Sequence, residues 1–265
     1  MTAHSEFQLD KETVKELTST KNKVSERLSL VDDLIAEFLK ILPESDPDFF
    51  IKLNRLSILS KILEINYRYL ENFQNNLDVK DPTIVATLSR CTFELHLVLL
   101  EACNSDAAFF KMLGKSKSAY EKYIEIFMEI AQSKGKQDAV NTFLLELQRF
   151  AVSTKKSEKL MAMNMQPTSL SGYYNFGKLA KKYGLDDAYK IEYLLISLFI
   201  HPSLLNIATT YSKDKTAPQK VAKVKIAVDH RQSLVRKFAL YFIIGISNRT
   251  LLKIDQILEE YKIKN

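Results

Sequence analysis

Val14, Leu17, Val24, Leu28, Val31, Ile35, Phe38 and Leu42 recur every three or four residues between Asp10 and Leu42, interrupted once by Lys21. Such a stripe marks one face of a continuous helix about four heptads long, and its length calls for an equally long helical partner or a second copy. Pro43 and Pro47 end it in a short acidic loop. A second long helix is expected from about Asp48 to Asn76, with Phe49, Leu56, Leu59, Leu63, Leu70 and Phe73 among its apolar positions. Glycine and proline together number only 12 of 265 residues, well below the roughly 12% of an average protein. With so few breakers, the rest of the chain is expected to be long helices as well.

Asp81-Pro82 reads as a helix start, Asp as N-cap and Pro at the first helical position. The third helix then runs to about Asn104. A fourth is expected from Ser105 to about Gln132, with a break available at Gly114, and a fifth from Lys136 to Leu160. Met161–Thr168 reads as a loop, and a short helix beyond it is stopped by Gly184 as C-cap. Asp186 or Asp187 starts a helix that meets Pro202, which disfavours the α conformation at His201 and predicts a break there. Ser212–Gln219 reads as a linker, followed by a basic helix turning apolar (Lys220–Ile246) and a last amphipathic helix from Arg249 to Lys262. No segment alternates as a sheet strand would. The expected fold is all-α, a multi-helix bundle of eight or nine helices in three segments. These are a long helical hairpin over 1–80 that could serve as a dimerisation arm, a core helical domain with a polar site over 81–211, and a basic linker with C-terminal helices packing on the core over 212–265.

Several chemistries lack their sequence signature. Six glycines are scattered singly, with neither GxxxxGK[ST] nor GxGxxG, so a phosphate-cradling loop is not expected. Four histidines and two cysteines show no CxxC or HExxH spacing, and a GxSxG elbow is missing; the expectation is no metal and no cofactor. The N-terminus is polar and acidic, unlike a signal peptide. The longest apolar stretches, Phe238–Ile246 with Gly245 inside it and Leu95–Leu100 with His96 inside it, are shorter than a bilayer span. Cys91 and Cys103 fall on one helix about 18 Å apart, too far to bridge. A reduced, cytoplasmic protein without a membrane contact is the expectation.

Two helices depart from amphipathic patterning. Arg90 and Glu94, four apart and so on one face, are set among Ile84, Leu88, Phe93, Leu95, Leu97, Val98 and Leu99. Tyr193, Ser197 and His201 recur at i, i+4 and i+8 in a helix otherwise apolar nearly all round. A helix apolar on every side is buried, and buried polar groups must be paired. Bringing the two helices together pairs Arg90 with Glu94 and lets Ser197 or His201 complete the network. In a functional version His201 is a general acid or base, Arg90 holds an anionic group such as a phosphate, Glu94 orients one of them, and Ser197 or Tyr193 adds a hydrogen bond. In a structural version the same network fixes the register of two core helices.

The stretch FGKLAKKYGLDDAYK from Phe176, followed by Tyr193-x3-Ser197-x3-His201-Pro202-Ser203, resembles a bacterial family of uncharacterised helical proteins with an Arg-x3-Glu helix upstream, matched here by Arg90 and Glu94. The resemblance covers 82–203 and implies an all-α fold with a shared Arg/Glu/Ser/His site. Arg90-x5-His96 also resembles the Arg-x4–6-His motif of HEPN ribonucleases from toxin and defence systems, with Cys91 where that family usually has a polar residue. That likeness implies a dimer and a metal-independent endoribonuclease, with His96 beside Arg90; His96 within LHLVLL also reads as a core histidine.

Lys213, Lys215, Lys220, Lys223, Lys225, Arg231, Arg236 and Lys237 face only Asp214 and Asp229 between Tyr211 and Lys237, a surplus equal to the +6 of the whole chain. The first fifty residues carry eleven acids against six bases. This asymmetry suits either an RNA-facing patch, charge complementarity within or between chains, or a solvated helix face. Two functions follow as expectations. One is a defence-type protein acting on RNA through Arg90 and His201 or His96. The other is a non-catalytic helical interaction module, a homodimer or the binder of a partner protein through its N-terminal heptads, in which the polar network is architecture.

Overall fold

The heptads of the N-terminal segment are satisfied within the chain. A computed structural model describes residues 11–41, 47–77, 82–142, 144–145, 175–193, 196 and 220–262, with the backbone alone at 41, 47–48, 50, 110–111, 113–123, 191–192, 220–233 and 262. Its helices are α1 (Lys11–Ile41), α2 (Pro47–Asn75), α3 (Thr83–Ala102), α4 (Asp106–Ser133), α5 (Phe176–Lys182), a π-helical stretch Ala188–Tyr193, and α6 (Lys220–Lys262). Helix accounts for 92% of the described residues, and no strand occurs among them. The fold is all-α and multi-helical, as the periodicity predicts. The Met161–Thr168 loop, the break at Pro202 and the Ser212–Gln219 linker lie outside the described residues.

Two units emerge. The first comprises 1–43, 52–100 and 176–265, and the second 44–51 and 101–175. These units cut across the sequence divisions at 80 and 211, because α1 from the first segment packs along α6 from the last. The expected hairpin arm therefore has its apolar seam covered inside its own chain: Leu17, Val24 and Val31 are fully buried. Thr13 and Thr20 are buried too, so the seam reads 13-17-20-24-31. Thr20 fills the gap that Lys21 leaves, while Lys21 turns aside to donate to Gln74 Oε1 at 2.9 Å.

Along α2 and the turn after it Leu56, Leu59, Leu63, Asn66, Leu70, Phe73 and Leu77 are buried in an unbroken 3-4 repeat with an amide at its centre, and Phe49 and Ile62 are buried as well. The Asn66 Oδ1 accepts from Ser247 Oγ on α6 at 3.0 Å, with both residues fully buried. Its Nδ2 has no hydrogen-bond partner. Further polar contacts join α6 to its neighbours. Ser89 Oγ on α3 lies 2.9 Å from Ala239 O, Thr20 Oγ1 on α1 lies 3.4 Å from Asn248 Oδ1, and Arg27 on α1 forks onto Asp255 at 2.6 and 3.4 Å.

Those contacts explain one departure from the sequence expectation. The sequence reading places one helix ending at Ile246 and another starting at Arg249, yet α6 is continuous from Lys220 to Lys262. Its polar residues are tertiary contacts, and side chains that bond to neighbouring helices leave the helix's own ladder intact. Likewise α4 passes through Gly114 without a break. It begins where predicted, with Ser105 accepting from Ala108 N–H at 3.1 Å as N-cap. Gly184 ends α5 as expected: its φ is +69°, and Leu185 N–H reaches back to Ala180 O at 2.8 Å, the backbone bond that a left-handed glycine permits.

The second unit contains α4 and a helical continuation after Gly135, with Phe109, Ile124, Ala131 and Val140 buried. In the first unit, Ala86, Phe93 and Leu97 of α3 meet Ala180 of α5, Tyr193, Ile196, and Val235, Phe242 and Ile246 of α6 in one core. By length and composition α3 is apolar enough to cross a bilayer, although it holds no long uninterrupted apolar run. Here its Val85, Phe93, Leu97 and Leu99 are buried in the protein.

Ser247→Ala leaves both ends of the buried Asn66 amide unpaired and is expected to lower urea-unfolding stability by about 1–3 kcal/mol. Asn66→Leu with Ser247→Ala removes the orphaned groups and is expected to recover most of that loss. Additive losses in the double variant would contradict the pairing.

Candidate polar site at the α3 and Tyr193 contact

Helix α3 carries the site because its 3.6-residue period places Arg90 and Glu94 on one face while Phe93 and Leu97 point into the core. Arg90 Nε donates to Glu94 Oε1 at 3.0 Å, and each side chain keeps about a quarter of its surface exposed (25% for both). The same Oε1 accepts from the Tyr193 hydroxyl at 2.7 Å. The Arg90 guanidinium also lies over the Tyr193 ring, 5.1 Å from its centre. One carboxylate oxygen thus takes two donors, while the ring that supplies one of them supports the other. The predicted meeting of the two helices is observed, and Tyr193 completes the network. Ser197 and His201 lie outside the described residues.

Tyr193 is set by its aromatic neighbours. Residues Asp186 and Asp187 do begin a helix, but it widens into the π-helical turn Ala188–Tyr193. Across that turn Tyr189 and Tyr193 stack with centroids 4.8 Å apart, and Phe93 contacts Tyr193 at 5.4 Å and Phe242 at 5.4 Å. Gly177 on α5 makes room for this stack: a Cβ there would stand 3.1–3.3 Å from the Tyr189 ring.

Electrostatics follow from the geometry. Burial, then the bond to Glu94, raises the Tyr193 hydroxyl's pKa, so it stays protonated and remains a donor. Burial pulls Arg90 down, but the hydrogen bond to Glu94 and the nearby Tyr193 outweigh it and hold the guanidinium charged. Sequence reasoning passed over Tyr69, which lies beside Cys91 next to this network, close enough for each to shift the other's pKa. Burial raises both groups, which leaves Cys91 a thiol of low reactivity. Nothing in the spacing of Tyr69 signals that contact. Cys91 and Cys103 are both free.

His96 is elsewhere. Six residues at 100° each turn its side chain about 120° from Arg90, and it is 3% exposed against α6. Its Nδ1 lies 3.0 Å from Thr250 Oγ1, which also lies 3.0 Å from Ile246 O. A hydroxyl has one proton, so Nδ1 is the donor when that proton points to Ile246 O and the acceptor when it points to the ring. Burial, helped by Arg249, lowers its pKa to about 4. The structure does not bring Arg90 and His96 together.

Of the basic segment, Lys220, Lys223, Lys225 and Arg231 lie on α6 with undescribed side chains, and Lys213 and Lys215 lie outside the described residues. Arg236 is half-buried, and Lys237 is exposed with its Nζ 6.0 Å from the centre of the Tyr241 ring. Among the described residues, no group of three or more His, Cys, Asp or Glu side chains is placed to hold a metal ion.

Compared with protein-family models, curated proteins and solved structures, the chain gives no match. Its function is therefore argued from geometry alone.

A histidine held neutral when folded but free to protonate near pH 6.5 when unfolded stabilises the fold above that pH. The contribution is lost as pH falls from 6.5 toward 4. At about 1.4 kcal/mol per pKa unit, roughly 3 kcal/mol is expected to disappear over that window. Urea unfolding at pH 7, 5.5 and 4.5 measures it, and His96→Asn is expected to flatten this part of the profile. An unchanged slope in His96→Asn would contradict the assignment.

Proposed function

We propose that this chain is a non-catalytic helical interaction module in which Arg90, Glu94 and Tyr193 form an architectural lock. The observation that carries this reading is the double use of Glu94 Oε1, which accepts from both Arg90 and Tyr193. A carboxylate engaged in this way orients its own neighbours. A general base instead needs its lone pair directed at a substrate proton. The pairing also joins α3 to the segment ending at Tyr193, which is the work of a structural network.

The His96 version of the ribonuclease reading lacks support in this geometry. Catalysis of the HEPN kind needs an arginine and a histidine converging on one phosphate, whereas His96 faces Thr250 and stays neutral at physiological pH; His201, its other candidate, lies outside the described residues. A binding role is supported by apolar side chains on outward helix faces: Ile126, Phe127 and Ile130 in the second unit, and Leu234, Phe238, Tyr241 and Leu252 on α6. Scattered exposed apolar residues are ordinary, but aligned runs of them mark contact surfaces.

Two measurements on the purified chain test this. Total RNA incubated with it in EDTA is expected to stay intact. Tyr193→Phe, which keeps the ring but loses the bond to a charged carboxylate, is expected to lower unfolding stability by about 1.5–3 kcal/mol. RNA cleavage that vanishes in Tyr193→Phe or Arg90→Lys, with stability unchanged, would contradict the proposal.

A further inference from the structure

No further inference is drawn: the strongest candidate, the surface patch of α6 on which Leu234, Phe238, Tyr241 and Leu252 are exposed, is an apolar helix face for which nothing in the structure shows what covers it.

Discussion

The buried hydrogen bond between Asn66 and Ser247 sets the alignment on which the first unit depends. Leu, Ile and Val seams in long helices supply most of the stabilisation, at about 25 cal/mol per Å² of apolar surface buried. Such seams repeat every seven residues and so discriminate poorly between registers. A one-heptad slip of α2 along α6 would set Asn66 against Leu240 or Ile254, leaving its amide wholly unpaired among apolar side chains at a cost of several kcal/mol. The contacts at Ala239, Asn248, Thr250 and Asp255 repeat this choice against α3 and α1. Apolar surface makes the helices adhere, and the polar contacts decide where. The orphaned Nδ2 of Asn66 indicates that the arrangement gives up some stability for this discrimination.

The group at Arg90 plays a comparable part between α3 and the segment that ends at Tyr193. Its members satisfy one another, and the aromatic stack of Phe93, Tyr189, Tyr193 and Phe242 fixes the hydroxyl that completes it. The polar contacts described in the first unit's core thus serve helix pairing.

How much of this was legible in the sequence varies with the residue. Helix content and the long helices follow from the 3-4 spacing and the scarcity of glycine and proline. The Arg90–Glu94 pair follows from i, i+4 placement; the pairing rule brings the two helices together but points to Ser197 or His201, which lie outside the described residues, where Tyr193 is the partner observed. Thr13 and Thr20 escaped because a threonine counts as polar in a pattern, although its methyl packs like valine's and its hydroxyl can bond within the helix. Asn66 and Ser247 also count as polar in a pattern and escaped with them. The amide and hydroxyls are paired across nearly two hundred residues of chain, and no local pattern carries that information. The separation of His96 from Arg90 was available from the helical angle alone, since i and i+6 diverge. The sequence motif concealed it by counting positions rather than directions.

The central claim is that α6 is one uninterrupted helix keyed to three neighbours between Ala239 and Asp255. Amide hydrogen exchange followed residue by residue through that stretch tests it most directly. The account predicts that Ala239 to Leu258 exchange among the slowest amides of the chain, with protection continuous across Gly245, Ser247 and Asn248. Rapid exchange confined to 245–249, flanked by two protected helices, would mean that the helix is divided there and would contradict it.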